Sequence, residues 1–108
     1  MACRNIALAL PALVLVAACA SQRTDRAIAY GHFEDGDYAG AVEWARRAAS
    51  RGEVAPETEA ELVYLEARAL ESAGERGQAR ALYAYLAERR PESRYGYLAR
   101  DRLDGERE

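Results

Sequence analysis

The sequence predicts an all-α protein. From Thr24 onward, no stretch shows the alternation of apolar and polar residues that is typical of a β-strand. Alanine, leucine, arginine and glutamate dominate this part of the chain, and all four favour helices. Glycines and prolines divide it into five segments. We therefore predict helices over residues 24–34, 37–50, 57–73, 76–89 and 93–104.

The N-terminal segment has the layout of a secretory signal. A short start carrying Arg4 is followed by the aliphatic run 6–16 and by two alanines before Cys19. The sequence Val-Ala-Ala-Cys at residues 16–19 resembles a bacterial lipobox, which implies a diacylglyceryl group on Cys19 and cleavage just before it. The apolar run from Ile6 to Ala20 has 15 residues, whereas a membrane span needs roughly 20.

We therefore expect a signal peptide over residues 1–18 and a lipidated N-terminus and tether over residues 19–24. The alternative is an ordinary export signal, which the two alanines before Cys19 also suit. No aspartate follows Cys19. By resemblance to the sorting pattern of Gram-negative lipoproteins, this favours the periplasmic face of the outer membrane over the inner membrane.

The helical segments are supported in order by apolar residues at helical spacing. The second segment has one apolar face, and its opposite face carries Glu43, Arg46, Arg47 and Ser50. The third has Pro56 near its start, and Thr58 and Glu61 form a candidate capping box. In the fourth, the aligned apolar residues are Ala79, Leu82, Tyr83 and Leu86, and the apolar residues Tyr97, Ala99 and Leu103 indicate a closing fifth helix.

The composition argues against several functional classes. The formal charge is −3 and the signs are interspersed, which is unlike a nucleic-acid-binding surface. His32 is the only histidine, and Cys3 would leave with the signal while Cys19 is lipidated. No histidine–thiolate metal site, disulfide, nucleophile elbow or phosphate-binding loop is then expected. We therefore predict a non-enzymatic protein without a small-molecule substrate, whose one non-protein group is the covalent lipid on Cys19.

The chain also repeats itself with an offset of 38 residues. Gly36, Ala41, Ala45 and Ala48 match Gly74, Ala79, Tyr83 and Leu86, and Ala29 matches Ala67. A glycine turn followed by small residues where two helices touch resembles the tetratricopeptide repeat, whose period is about 34 residues. The enlarged loop 51–56 would account for the difference. The resemblance covers residues 22–93.

This resemblance implies antiparallel helix pairs stacked as a short right-handed solenoid, with two repeats and a C-terminal capping helix. The domain would span residues 25–104, with a polar tail at 105–108. Three residues depart from the family pattern, namely Asp25, His32 and Glu66. Glu66 falls on the apolar side of its helix, where a carboxylate needs an arginine partner or a raised pKa. We expect that Glu66 forms a structural ion pair or extends to solvent; alternatively, it is an anchor for an arginine or amine of a bound partner.

In the tetratricopeptide family, the first helix of each pair lines a concave groove that binds a peptide. The resemblance thus implies a partner-binding groove made by Arg26, Tyr30, Phe33, Glu61, Tyr64, Arg68 and Glu71. The alternative for Tyr30 and Phe33 is packing against the next helix. Tyr85 and Tyr97 fall on the polar sides of their helices and are candidates for a second, exposed contact face.

The run 87–95, followed by Ala99, is similar to repeats in envelope-assembly lipoproteins of Gram-negative bacteria, which act as adaptors. The resemblance implies an adaptor that is anchored through its lipid to the outer membrane and binds a protein partner in envelope assembly. Two alternatives remain, namely a fixed structural or accessory subunit of an envelope complex, and a lipoprotein that binds peptidoglycan.

Overall fold

The structure is a computed structural model that describes the backbone of residues 9–105 and the side chains of residues 21–105. Within this range the chain forms five helices and no strand, which confirms the all-α prediction. They are α1 (Ala9–Glu34), α2 (Tyr38–Ala49), α3 (Pro56–Ser72), α4 (Arg76–Arg89) and α5 (Arg94–Gly105). The side chains of the predicted signal peptide and of Cys19, and the tail beyond Gly105, lie outside the described residues.

The start of α1 differs from the sequence prediction. We expected a helix from residue 24, but α1 begins at Ala9, so the stretch 19–24, expected to be a tether, is helical. No glycine or proline stands between Pro11 and Gly31, and the polar residues 21–24 change the environment of the helix without ending it. In the described part of the chain, no helix combines the length and apolarity that crossing a membrane requires.

The two helix pairs are closed by equivalent glycine turns. Gly36 and Gly74 both have left-handed backbones, with φ of 80° and 89°. After each glycine, the next N–H bonds back to a carbonyl in the last turn of the preceding helix, Asp37 N to His32 O and Glu75 N to Leu70 O, both 2.8 Å. This is the Schellman end, which favours glycine at that position. The two turns therefore occupy equivalent positions in the repeat, 38 residues apart.

The helices form two rows. Each helix packs against the next one along the chain, and α3 also contacts both α1 and α5, whereas α2 and α4 do not contact each other. The inner row is therefore α1, α3 and α5, and the outer row is α2 and α4. This arrangement is consistent with a short helical repeat solenoid.

Repeat-related residues occupy equivalent buried positions in the core. The matched pairs Ala29/Ala67, Ala41/Ala79, Ala45/Tyr83 and Ala48/Leu86 are all at most 2% exposed. Where the first repeat has alanine, the second has Tyr83 and Leu86, which are among the largest fully buried side chains. The second repeat therefore holds the bulk of the apolar core, and the first packs closely through small residues.

The start of α3 corrects one prediction. Ala55 is the N-cap and Pro56 is the first helical residue, and no side chain caps the helix. The capping box expected from Thr58 and Glu61 is therefore wrong. The carboxylate of Glu61 turns instead to α1, where it binds two side chains.

Close packing sets the start of α5. The hydroxyl of Ser93 accepts a hydrogen bond from the Tyr95 N–H at 3.1 Å, which begins the helix. A Cβ placed on Gly96 would lie 1.8 Å from the Arg90 carbonyl oxygen. Glycine at this position therefore allows α5 to pack directly against the end of α4.

Candidate partner-binding groove

The first part of the candidate groove is built around Glu61 on α3. Arg26 and Tyr30, one turn apart on α1, both reach this carboxylate. Arg26 Nη1 lies 2.9 Å from Oε1, and the Tyr30 hydroxyl donates to Oε2 at 2.8 Å. Burial, and then the hydrogen bond to Glu61, raise the pKa of Tyr30 above its usual value. The tyrosine is therefore held as a neutral donor that joins α1 to α3.

The second part is built around Glu71, near the end of α3. The Tyr83 hydroxyl donates to Oε1 at 2.9 Å, Arg102 Nη1 lies 3.3 Å from the same oxygen, and Arg68 Nε lies 3.9 Å away. Burial, followed by this hydrogen bond, raises the pKa of Tyr83. Burial opposes the charge of Arg102, but its hydrogen bond with Tyr64 and the Glu71 carboxylate outweigh that effect and raise its pKa.

Aromatic rings lie beside the carboxylate clusters. The Tyr64 ring lies between the rings of Tyr83 and Tyr95, at centroid distances of 5.8 and 5.7 Å. On α1, the Phe33 ring packs edge-on against Tyr38 at 5.5 Å. The Arg68 guanidinium carbon lies 5.8 Å from the Phe33 ring centroid. Cations over aromatic faces are stabilising, so the groove residues support one another.

All seven residues expected in the groove come together on the inner row and are partly exposed. Tyr30 and Phe33 also pack against the core, as the alternative interpretation expected. The expected residues therefore have both structural contacts and accessible surface.

A crevice of about 540 Å³ opens between α3 and α5. It is lined by Tyr64, Glu71, Leu98, Asp101, Arg102 and Gly105. The contribution of α5 was missed from the sequence, because this helix was treated as a cap. Tyr95, Leu98 and Arg102 stand at i, i+3 and i+7, so treating α5 as a third inner helix would have found this face.

The expected second contact face is exposed. Tyr85 is 38% exposed and Tyr97 is 66% exposed. The Tyr85 hydroxyl donates to Glu59 at 3.0 Å, and that bond raises the pKa of Tyr85. Tyr85 is thus attached to the start of α3, and Tyr97 has the greater exposed surface of the two.

The three departures from the repeat pattern have partners within the chain. Glu66 binds Arg46 Nε at 2.9 Å, so the expected structural ion pair is confirmed. Asp25 is only 3% exposed and binds Arg51 Nε at 2.7 Å. His32 Nδ1 lies 2.9 Å from Asp37 Oδ2. Where the repeat pattern has apolar or aromatic residues, these polar residues instead form polar contacts. They join α3 to α2, and α1 to the loop after α2 and to Asp37.

Comparison of the chain with protein-family models, curated proteins and solved structures found no match. Among the described residues, no group of histidine, cysteine, aspartate and glutamate side chains is arranged to hold a metal ion. The features of the protein that bear on its function are therefore the geometry of the groove residues and the N-terminal sequence.

Proposed function

We propose that this protein is a non-enzymatic, lipid-anchored adaptor that binds a protein partner at the periplasmic face of the outer membrane. The observation that carries the proposal is the side-by-side packing of α1, α3 and α5. The residues of the candidate groove lie on α1 and α3, and a crevice of about 540 Å³ opens between α3 and α5. Grooves of this kind suit an extended or helical peptide.

The groove is preorganised for binding. Arg26, Arg68 and Arg102 have side chains that are 41%, 34% and 37% exposed, yet each is paired with a carboxylate of α3. A partner that binds across these arginines would cause little further loss of side-chain entropy, because the side chains are already ordered. Arginine and tyrosine are the residue types that most often dominate binding energy at interfaces.

The anchor is the predicted lipid on Cys19. Each buried methylene contributes about 0.8 kcal/mol, and stable attachment requires more than one acyl chain. A fully processed lipoprotein of the type that the lipobox implies would remain on its membrane. The adaptor would therefore hold its partner close to the lipid surface, in envelope assembly.

The test is co-purification from gently solubilised membranes of the protein with a C-terminal tag. The groove variants are Tyr64→Ala/Arg68→Ala and the charge reversal Arg68→Glu. Since Tyr64 packs between two rings, circular dichroism must show that each variant is folded. The matched control is Arg76→Glu, because Arg76 is exposed in the first turn of α4 in the outer row.

We expect a stoichiometric partner that is retained by Arg76→Glu and lost from both groove variants. A partner retained by every variant would instead favour a fixed subunit that is held through other faces, such as that of Tyr97. If nothing co-purifies and the protein binds purified cell-wall sacculi, the peptidoglycan alternative replaces the adaptor.

A further inference from the structure

The connection between the predicted anchor and the folded domain is short and helical. Position 19 lies inside α1, which continues without a break into the domain. Close to position 19, and within the part of α1 whose side chains the structure describes, Gln22 Nε2 donates to the Ala48 carbonyl oxygen of α2 at 3.4 Å. Three helical residues advance only about 4.5 Å. The end of α2 therefore lies close to the backbone of Cys19.

Two ion pairs then fix α1 against the rest of the fold. Asp25 is 3% exposed, and its carboxylate binds Arg51 Nε at 2.7 Å, which attaches the loop between α2 and α3. Arg26 Nη1 lies 2.9 Å from Glu61 Oε1, which attaches the first half of α3. The first two turns after Cys19 are thus held at three points, so this stretch is not a flexible spacer.

We propose that α1 is a rigid post, by which we mean a helix that joins the lipid anchor to the domain without a flexible linker. It holds the helices of the domain perpendicular to a phospholipid surface, and we call this orientation upright. The inference rests on the lipid anchor of the proposed function. The first two turns of α1 after Cys19, the end of α2 and the loop 50–55 together form what we call the anchored end. With the acyl chains of Cys19 in the bilayer, only about 4.5 Å of helix separates Cys19 from the contact at Gln22. This distance is too short for the domain to rotate so that its opposite end faces the membrane. The anchored end therefore faces the lipid headgroups.

The distribution of charge agrees with this orientation. When α1 from position 19 onward and helices α2 to α5 are divided at their midpoints, and each connection is assigned to the end at which it lies, the half that contains the anchored end has eight arginines and seven carboxylates. The opposite half has five arginines and nine carboxylates. Anionic headgroups attract arginine by about 1 kcal/mol per residue near the surface and repel carboxylates. The more acidic half is accordingly the one that points away from the membrane.

This orientation determines where the groove lies. The helices of the inner row then run along the membrane normal, and the groove opens sideways. From position 19 to Glu34, α1 has a length of roughly 22 Å. The crevice lined by Glu71 and Arg102 lies at the far end of α3 and α5. A partner would contact this crevice about 2 nm above the headgroups. The same partner would contact Arg26 and Glu61 closer to the headgroups.

The test uses the purified, lipidated protein in phospholipid vesicles that contain a lipid with a paramagnetic metal chelate on its headgroup. A spin label is placed either at Glu53→Cys in the loop of the anchored end or at Asp35→Cys in the turn between α1 and α2. Both residues are exposed. A matched pair of proteins carries a flexible glycine–serine insertion between Ala20 and Ser21. The mass of the N-terminal peptide is measured first.

We expect relaxation of the label to be at least several-fold stronger at position 53 than at position 35, and the insertion to reduce that ratio towards one. Equal relaxation at the two positions, with Cys19 acylated, would overturn the upright orientation but would not contradict the proposed function as an adaptor. A ratio that the insertion leaves unchanged would overturn the role of α1 as a post. An N-terminal peptide without acyl chains would overturn the lipid anchor of the proposed function and this inference with it.

Discussion

At the scale of single residues, the inner row is held together by two carboxylates of α3. Glu61 accepts hydrogen bonds from two residues of α1, and Glu71 accepts from α4 and binds α5. Both are mostly buried, with side chains 19% and 27% exposed. Hydrogen bonds to a charged group contribute about 1.5–3 kcal/mol. Each carboxylate therefore has a structural role in addition to its place in the groove.

The bond between Tyr83 and Glu71 provides the first prediction at this scale. Tyr83→Phe removes a hydroxyl that donates to Glu71 from a side chain only 1% exposed. We expect the free energy of unfolding to fall by about 1–2 kcal/mol, because Glu71 keeps Arg102 and Arg68 as partners. Urea denaturation measures the change. The control is Tyr97→Phe, on a side chain 66% exposed, which is expected to shift stability by less than about 0.5 kcal/mol.

At the scale of elements, sequence patterns predicted where the helices begin and end better than they predicted which helices pack against each other. Helices α2 to α5 lie within one residue of the predicted bounds, because glycine, proline and apolar spacing act locally. The start of α1 was missed, since a change from apolar to polar residues at Ser21 does not end a helix. The part of α5 in the groove was missed because the spacing of Tyr95, Leu98 and Arg102 shows that they share a face, but it does not show that this face meets α3.

The packing of α5 on the end of α4 yields a prediction for an element. Gly96→Ala would place a methyl group 1.8 Å from the Arg90 carbonyl oxygen, so α5 must move away. We expect a loss of about 2 kcal/mol or more, in the range of other overpacked sites. The matched control is Gly31→Ala in α1, where a Cβ meets no atom within 4 Å. That change is expected to be neutral or stabilising, since alanine favours helices by about 1 kcal/mol over glycine.

Thermal or urea unfolding of the two glycine variants measures the difference. Partner binding adds a second readout, because movement of α5 would alter the crevice beside Tyr64 and Arg102. If Gly96→Ala were as stable as the control and bound the partner equally well, the close approach of α5 to Arg90 would be contradicted.

At the scale of the whole molecule, the free energy of unfolding should fall as the pH becomes alkaline. The folded-state pKa values of Tyr30 and Tyr83 are raised, chiefly by burial and then by their bonds to carboxylates. In the unfolded chain, tyrosine ionises near pH 10. The stabilisation is therefore fully present below about pH 10 and is lost as the pH rises towards the folded-state values. The limiting slope is about 1.4 kcal/mol per pH unit for each tyrosine.

Urea midpoints at pH 8, 9.5, 10.5 and 11 test this dependence. We expect little change between the first two and a steep fall above the second. The variant Tyr30→Phe/Tyr83→Phe should start from a lower stability and lose less of it over the same interval. An equal fall in the variant would show that other groups cause the alkaline loss.

The row arrangement also determines how the chain can fold. Among the residues that the structure describes, contacts join only helices that are adjacent or next-but-one along the sequence, since α1 touches α2 and α3, and α5 touches α4 and α3. Such a topology has a low contact order, which is associated with folding in microseconds to milliseconds. Each hairpin can close as soon as its second helix is present, without waiting for the C-terminus. If the chain is exported as proposed, this topology allows it to fold progressively from its N-terminal end as it emerges from the membrane.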